Sequence, residues 1–594
     1  MSGRVAAQPD VRPAGASHHW VWAVLSLGLI VVIMHGRCVL HGLFLDDHAH
    51  YRQLKAASWT LTDLVGACRL ELVGGALESW YLPECTLRFF RPVSFAFMKL
   101  LYEMFDWSPA PLHVASLLWH WAVCVLLMVL GQQLTGHKRI GWGAAALFAV
   151  HPAHIATVQW IASITEVMVT AFLLISLLCF GRWRGWFWAE RYASGRRPSL
   201  GWILLGYVSF VLALGCRENA AMLPPLLLAA EIFHRTRWSR ATLLVHGGFW
   251  AIVAIYVVVR STMLGPQGIP PPPYVYTPAY PDFFEFVLNK ACYYVLGEFL
   301  IVPVVPFGGL AYFEPRPLLF YGLTVLCMGI MFVAWWANRG TLGAWLGPLA
   351  LGLLMVPVLP VFESPHHLYL PGVGWAIVIA MIFRMIHYSL PAERNLKRQL
   401  IEGTTWIVGG FTAFLLAFLG YFAGLAMDMG QRVEDRIAEE IITSPRPLRS
   451  GDTVYVANLP IIAHYAKYIV EARTGLKDLR FVVLTWSPRV LGVITPTELR
   501  FTDRTSFEMR ITKDRYFGGP YGALVVASGR PEVLRGGERP IEWKDMRVRV
   551  LAADADGVSA LRFEMGPAFD SDRVHLFWGS QARWAAQIPL ESVR

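Results

Sequence analysis

The stretch WVWAVLSLGLIVVIMHGRCVL, residues 20–40, is predominantly apolar and long enough to cross a bilayer as one helix. It has no small-residue cleavage site before His41 and Gly42, so we expect a retained membrane anchor and not a cleaved signal peptide. The acidic pair Asp46 and Asp47 follows a few residues later. Because carboxylates are costly at a membrane boundary, this pair indicates a functional site.

Apolar stretches of similar length recur along most of the chain. The 594 residues are 55% hydrophobic and 16% charged, and the mean hydropathy is +0.45. This composition predicts a polytopic α-helical membrane protein with roughly eleven transmembrane helices. After the first run, the candidate spans are residues 111–134, 140–160, 163–180, 200–215, 218–234, 241–260, 318–337, 341–362, 368–389 and 403–427.

The basic residues predict an orientation. They concentrate in short connections, near residues 137–139, 182–197, 235–240 and 394–398, which fall on one side if every candidate span crosses. The positive-inside rule makes that side the cytoplasm and also accounts for the net charge of +10 without a nucleic-acid partner. Counting the apolar segment Lys290 to Pro306 as a crossing would break this pattern, so we interpret it as re-entrant or interfacial.

The opposite, extracytoplasmic side receives the large loops. They are a first external loop, residues 41–110, a second one, residues 261–317, and the short turn at residues 363–367. These loops and the spans make up a predicted membrane domain, residues 1–430. The polar clusters considered below lie on or near this one face.

The composition changes after Met427. A charged helical connector, Arg432 to Ile442, leads into residues 445–594, which have no membrane-length apolar run. Short alternating segments predict a soluble α+β, mainly β, extracytoplasmic domain, including a hairpin closed near Asp554 to Gly557. The domain has no Cys and no metal-ligand spacing.

Cysteine usage is weakly informative. Most of the eight cysteines lie in apolar spans, where Cys behaves as a small hydrophobic residue. Cys68 and Cys85 share the first external loop, and either a disulfide or two free thiols is compatible with the sequence.

Two groups of charged residues lie in the first external loop. Asp46 and Asp47 suit either helix capping or a general base with a charged neighbour. Arg88 and Arg91 either extend to the membrane interface or bind a phosphate bidentately.

A third cluster combines histidines with a proline. His151, Pro152 and His154 occur in an apolar stretch, and Glu166 opens the next span. Two His at this spacing suit a metal, but the sequence shows no third ligand. A helix end bent at Pro, with hydrogen-bonded His, is an equally good interpretation.

Two more clusters lie in short external turns. Arg217 and Glu218 form either a local ion pair or a substrate contact. Glu363, His366 and His367 are either exposed turn residues or part of a polar cavity. No P-loop, dinucleotide fingerprint or Ser/His/Asp order occurs, so no nucleotide cofactor is indicated.

Five of these segments together carry a family resemblance. The run LFAVHPAH, residues 147–154, resembles the LFAVHPIHTEAV segment of the transmembrane O-mannosyltransferases that carry tetratricopeptide repeats, and of their bacterial relatives. The other matches occur in the family's order: Phe44 to His48 with its acidic first loop, Phe90 to Ser94 with its RPL element, Arg217 to Pro224 with KENAAVLP, and Glu363 to Gly372 with ERYLYLPS.

The resemblance implies the GT-C fold and an inverting glycosyltransferase that uses a sugar, such as mannose, on a polyprenyl-phosphate carrier. It implies that Asp46 or Asp47 is the base, and we prefer Asp47 because it stands nearer the expected helix start. It also implies that the acceptor is a protein hydroxyl or a surface glycan outside the cytoplasm, and we expect the membrane to be a bacterial inner membrane. Predicted substrate or lipid-phosphate contacts are Arg91, His151, His154, Arg217, Glu218, Glu363, His366 and His367.

The chain also departs from the family pattern. Ala156 replaces the Glu after the second His, Ser163 and Ile164 replace a Gly-Arg pair, Glu166 replaces the following Asp, and the repeats are absent. The sugar, the acceptor and any divalent-metal requirement therefore stay open. The alternative functions are a membrane transporter or lipid flippase, for which charges at the membrane midplane would be expected, and a scaffold presenting the C-terminal domain.

Overall fold

The computed structural model describes most of the chain and divides it into a helical body and a sheet-containing C-terminal part. Parts of the basic segments 182–197 and 394–398 and the end of the segment Lys290 to Pro306 lie outside the described residues. Those described are 17–187, 199–235, 237–265, 274–305, 310–391, 393, 395–488, 496–518, 531–534, 539–580 and 582–590.

The helical body follows the predicted spans. The helices are α1 (Ser17–His35), α2 (Asp47–Ala56), α3 (Leu61–Ala67), α4 (Pro92–Met104), α5 (Ala110–Thr135), α6 (Lys138–Ala149), α7 (Ile155–Gln159), α8 (Ile164–Arg184), α9 (Leu200–Cys216), α10 (Leu223–Phe233), α11 (Arg240–Leu264), α12 (Phe283–Phe299), α13 (Pro317–Asn338), α14 (Leu342–Met355), α15 (Gly372–Ser389), α16 (Leu396–Ile442) and α17 (Ala466–Thr474).

Among the described residues, seven helices are long and apolar enough to cross a membrane. They lie at His19–Leu40, Ala110–Thr135, Ile161–Arg184, Arg240–Leu264, Pro317–Asn338, Gly372–Ser389 and Leu396–Ile442. Two shorter apolar helices, Leu200–Cys216 and Leu342–Val358, accompany them. The polytopic helical fold is confirmed, whereas eleven crossings and the sidedness stay predictions.

The predicted span 140–160 is not one helix. Helix α6 ends at Ala149, and the chain continues as a 3₁₀ turn (Pro152–His154), the short α7 and a second 3₁₀ turn (Ile161–Ser163). Pro152 explains the break, because its ring disfavours a helical conformation at the residue before it, and His151 is indeed extended. We call residues 150–163 the helix break.

Two His side chains of the helix break form hydrogen bonds with backbone groups in and just before it. His154 Nδ1 bonds the carbonyl oxygen of Phe148 at 2.9 Å, and His151 Nδ1 accepts the N–H of Ala153 at 3.3 Å. Irregular backbone of this kind is tolerated in a membrane protein only where such partners exist.

Helix α16 joins the two parts of the molecule. It is a single helix of 47 residues that includes both the last predicted span and the predicted connector. Its Gln431 side chain donates to the carbonyl of Leu43 at 3.3 Å, and its Glu434 accepts the N–H of Leu45 at 3.2 Å. Its Asp428 pairs with His41 at 2.8 Å. The first external loop is therefore fastened along this helix.

Among the described residues, the C-terminal part forms two five-stranded sheets, one of which also includes a strand of the first external loop. One is antiparallel, in the order β6-β7-β10-β9-β8, and the other is mixed, in the order β12-β11-β4-β5-β2. A separate ladder pairs β1 with β3 in the first external loop. The strands are β1 (Arg69–Val73), β2 (Glu78–Ser79), β3 (Cys85–Arg88), β4 (Thr453–Leu459), β5 (Arg480–Trp486), β6 (Thr497–Phe501), β7 (Ser506–Ile511), β8 (Ile541–Trp543), β9 (Met546–Asp554), β10 (Gly557–Met565), β11 (Val574–Trp578) and β12 (Ala586–Ile588).

The predicted hairpin is present, since Gly557 pairs with Asp554 at the start of the β9-β10 ladder. The position of β2 was not foreseen, because it belongs to the first external loop yet pairs parallel with β5. The neighbouring Trp80 is fully buried, and its indole N–H donates to the carbonyl of Leu484 at 2.8 Å. Cys68 and Cys85 are free thiols.

We expect Trp80→Ala to destabilise the C-terminal part by about 3–5 kcal/mol, because truncating a buried Trp leaves a cavity. The measurement is the thermal unfolding midpoint of the purified protein, together with the protease sensitivity of the C-terminal part. The matched control is Trp59→Ala, which removes a Trp from the same loop that is 49% exposed. Equal effects of the two substitutions would contradict the role assigned to Trp80.

Candidate functional site

The predicted charged residues meet where several elements begin or end. These places are the start of α2, the residue before α4, the start of α8, the segment after α9, and the 3₁₀ turn Pro365–Leu368. Helix ends leave backbone groups unsatisfied, so polar side chains collect there naturally. We refer to this region as the acidic-pair site.

The two acids that open α2 have different surroundings. Asp47 is 1% exposed, and its two carboxylate oxygens accept the backbone N–H groups of Phe44 at 3.0 Å and Ala162 at 2.7 Å. It therefore fastens the first external loop to the helix break. Asp46 occupies the N-cap position but makes no side-chain cap bond. Its Oδ1 is buried and has no hydrogen-bond partner among the described residues.

The electrostatic environment of Asp46 suits proton transfer near neutral pH. Burial raises the pKa of Asp46 to about 7, and the nearby Arg91 opposes that shift. His50 Nε2 lies 3.9 Å from Asp46 Oδ2, and burial lowers the pKa of this imidazole to about 4. Asp46 thus has a neutral imidazole as its neighbour and one carboxylate oxygen without a partner.

The backbone before the pair is strained. Leu45 has φ +50°, in the left-handed region that a branched side chain rarely adopts. Its N–H donates to Glu434 of α16 at 3.2 Å. A residue in this region costs about 1–3 kcal/mol and persists only where its surroundings enforce it. Glu434, which lies in the predicted charged connector, therefore helps to position Asp46.

Both predicted arginines are held by glutamates. Arg91 donates to Glu218 Oε2 from Nε at 3.3 Å and from Nη2 at 3.2 Å. Arg217 pairs with Glu166 Oε1 at 2.9 Å and not with its sequence neighbour Glu218. The local ion pair of Arg217 with Glu218 is therefore not formed, and each of the two residues pairs with a distant segment instead.

One further polar contact completes this group. Asn219 donates to Glu166 Oε2 at 3.4 Å, so the glutamate bridges two elements. Arg88 does not join the site, because it is exposed on β3.

The short external turn is buried, so the solvent-exposed interpretation of its residues does not hold. His366 Nδ1 lies 2.6 Å from the hydroxyl of Ser364, and His367 Nδ1 lies 3.0 Å from the hydroxyl of Tyr294. Burial, assisted by the positive charges of Arg217 and Arg91, lowers the pKa of both imidazoles, which are neutral at pH 7. They can donate or accept hydrogen bonds without adding charge.

Glu363 is also buried and lies within electrostatic range of Lys290, which the sequence interpretation had not singled out. The ammonium of Lys290 donates to the carbonyl oxygens of Val358 at 2.6 Å and Phe362 at 3.0 Å. In the sequence, Lys290 has no adjacent acid and stands in an apolar segment, and this was the sign from which such an anchor could have been predicted.

His151 and His154 lie in a second cluster, which we call the histidine cluster. Their rings are 5.0 Å apart, and His154 also contacts Tyr369. The carboxylate nearest to them is Glu298 of α12. His366 and His367 lie in the field of Arg217 and Arg91. The electrostatic neighbours of His154 are other imidazoles, so the histidine cluster is distinct from the acidic-pair site.

Comparison with known proteins gives distant similarities, and no family model matches the chain. Over 355 residues it is 22% identical to the mouse (Mus musculus) protein O-mannosyl-transferase TMTC4, covering 50% of this chain and 47% of that one. With the human (Homo sapiens) counterpart the identity is 23% over 215 residues, covering 33% of this chain and 27% of that one. The resemblance to transmembrane O-mannosyltransferases is confirmed. The chain spans about half the length of the mouse relative and less of the human one.

Two solved structures show distant likeness. One is the oligosaccharyltransferase AglB from Archaeoglobus fulgidus, in complex with an inhibitory peptide and a dolichol-phosphate, with TM-score 0.43, 13% identity and coverage of 78% of this chain and 64% of that one. The other is ArnT from Cupriavidus metallidurans bound to undecaprenyl phosphate, with TM-score 0.38, 13% identity and coverage of 78% and 86%. At these values the likeness assigns no substrate and no residue role to this chain.

We expect Asp47→Ala and Asp46→Ala to differ in their effect on stability at about pH 6. The first leaves two part-buried N–H groups without acceptors, at about 1–3 kcal/mol each, and lowers the unfolding midpoint. The second leaves the midpoint nearly unchanged, because Asp46, with a pKa of about 7, is mostly neutral at that pH and its Oδ1 has no hydrogen-bond partner to lose. The measurement is thermal unfolding in detergent. A loss of stability in Asp46→Ala as large as in Asp47→Ala would contradict the assignment.

Proposed function

We propose that the chain is a membrane glycosyltransferase that transfers a sugar from a polyprenyl-phosphate donor to an acceptor outside the cytoplasm. The observation that carries the proposal is the unpartnered carboxylate oxygen of Asp46, buried beside Arg91 and next to a second acid that accepts two backbone N–H groups. Catalytic bases require this combination of a pKa near the working pH and a free lone pair.

The proposed reaction is a single inverting displacement. The acceptor hydroxyl gives its proton to Asp46 Oδ1 as its oxygen forms the new bond to the anomeric carbon of the sugar. The bond from that carbon to the phosphate oxygen breaks, and the carrier leaves as polyprenyl phosphate with one more negative charge. Asp47 serves as a positioning residue, because both of its oxygens already accept backbone N–H groups.

The departing phosphate gains negative charge during the reaction. It therefore needs hydrogen-bond donors whose interaction with it becomes stronger as that charge develops. Arg91 and Arg217 are the proposed donors, since a guanidinium matches phosphate geometry and stays protonated when buried. Their partners Glu218 and Glu166 hold them in place before the substrate arrives. The neutral His366 and His367 are proposed contacts for sugar hydroxyls or phosphate oxygens.

The sugar and the acceptor are proposed by similarity. The curated relatives are named as protein O-mannosyl-transferases, so mannose and a protein hydroxyl are the first substrates to test. The chain departs from the family pattern at Ala156 and Glu166, and Glu166 holds the proposed phosphate donor Arg217, so a sugar other than mannose is compatible with the proposal.

We expect Asp46→Asn to reduce transfer by about 10²–10⁴-fold, the usual contribution of a general base. The assay is transfer of labelled mannose from a polyprenyl-phosphate donor to a peptide in proteoliposomes. The matched control is Glu84→Gln, which neutralises an exposed acid of the same loop and should leave the rate unchanged. Full activity in both Asp46→Asn and Asp47→Asn would refute the proposal, and uptake of donor without any glycosyl product would favour a transporter.

We also expect the rate to rise with pH through about pH 7. The base is active only when ionised, and the pKa of Asp46 is about 7, so the acid limb of the pH profile follows this group. The measurement is kcat/KM at a series of pH values from about 5.5 to about 8.5, a range that brackets this pKa. Residual activity of Asp46→Asn should lack this limb. A flat profile in the unmodified protein would count against Asp46 as the base.

A further inference from the structure

The histidine cluster contains polar atoms that the proposed transfer reaction does not use. His154 Nε2 and both carboxylate oxygens of Glu298 are buried and have no hydrogen-bond partner among the described residues. Glu298 is 1% exposed and His154 is fully buried. Leaving such atoms unsatisfied costs about 1–3 kcal/mol for each group, so this arrangement calls for a ligand.

The tautomer of His154 is set by its other nitrogen. Nδ1 lies 2.9 Å from the carbonyl oxygen of Phe148, which can only accept, so Nδ1 carries the proton and Nε2 presents a lone pair. The ring is held by Phe148 and Tyr369, with centroids at 4.1 and 4.9 Å. A histidine that donates Nδ1–H to a backbone carbonyl and offers Nε2 is the usual state of a metal ligand.

Protonation of Glu298 does not explain the geometry. A neutral carboxyl would be expected to donate to the Nε2 lone pair at about 2.7 Å, and no such bond is formed. The space between the two groups is kept open by Gly372, where an added Cβ would lie 2.9 Å from His154 Nε2 and 3.4 Å from Glu298 Oε1.

We propose that His154, Glu298 and His151 bind a divalent transition-metal ion, with Zn²⁺ the best match to two imidazoles and one carboxylate. One ligand atom from each residue lies within 4.8 Å of the others. Atoms at that spacing share a point at most about 2.8 Å from each, so shifts of under about 1 Å bring them to the 2.0–2.2 Å of zinc coordination.

His151 is the ligand that must change partners. Its Nδ1 accepts the N–H of Ala153 at 3.3 Å, so its Nε2 carries the proton and donates to the backbone carbonyl of Glu298 at 3.1 Å. On binding, the imidazole changes tautomer: the proton moves from Nε2 to Nδ1, which stops accepting the N–H of Ala153, and Nε2 offers its lone pair to the ion, because a histidine ligand is a neutral imidazole. The ion would then join α12 to the helix break.

The experiment measures zinc bound to the full-length protein, purified in detergent from zinc-supplemented medium and dialysed against metal-free buffer. We expect about one zinc per chain, as in structural sites, and at least a tenfold lower content in Glu298→Gln and His154→Gln. Gly372→Ala keeps all three ligands but fills the space between them, and it should also lose the ion. Added zinc should raise the unfolding midpoint of the metal-free unmodified protein but not of Glu298→Gln.

The matched control addresses adventitious zinc. His137 and His387 form a second imidazole pair, with ring centroids 4.3 Å apart. His137 precedes the first residue of α6, at the other end of this helix from the helix break. His387→Gln should keep the ion. Zinc lost in His387→Gln but retained in His154→Gln and Glu298→Gln would overturn the proposal, as would unmodified protein that binds no zinc. Neither readout depends on transfer activity, so failure here is separable from failure of the proposed function.

Discussion

The two hydrogen bonds that Asp47 accepts, from the N–H groups of Phe44 and Ala162, fix the relation between the first external loop and the membrane body. Helix α6 stops short and α8 starts late, so the helix break has backbone groups that no helix satisfies. A carboxylate reaching in from the loop satisfies one of them and is itself stabilised by the two donors. The relative position of the first external loop and the helix break therefore depends on these two hydrogen bonds.

Helix α16 extends this constraint to the C-terminal part. Glu434 and Gln431 bond the backbone of the first external loop, while β2 of the same loop forms the edge of a C-terminal sheet. The loop that carries the acidic pair is thus held by the membrane body, by α16 and by the C-terminal part. The C-terminal part therefore packs against the loop that carries the acidic pair.

Local patterns predicted much of the fold. Long apolar runs and alternating strands depend on nearby residues only, so the seven long apolar helices and the β9-β10 hairpin followed from the sequence, whereas the predicted span 140–160 is not one helix. Pro152 indicated the bent helix end with hydrogen-bonded His that the structure shows, but hydropathy stays high across residues 150–163 and gave no sign of the full helix break. Strand β2 is two residues long, which is too short to show the alternation of apolar and polar residues that predicts a strand.

The site was predicted less completely because its contacts are non-local. Charge and resemblance placed Arg91, Arg217 and His366 together, but nothing near Arg217 in the sequence indicates that Glu166 holds it. An acid such as Glu298 in an apolar segment was a usable sign of function, although its proximity to His154 required the fold.

The acidic pair shows why adjacency in sequence does not imply a shared role. At the start of a helix, successive side chains point in different directions, so Asp47 turns toward the helix break while Asp46 turns toward Arg91 and His50. Asp47 accepts two backbone N–H groups, whereas Asp46 Oδ1 is buried without a hydrogen-bond partner among the described residues. The sequence favoured Asp47 as the base because it stands nearer the helix start. Asp46 is the proposed base, because movement or protonation of Asp47 would weaken the bonds that hold the first external loop to the helix break.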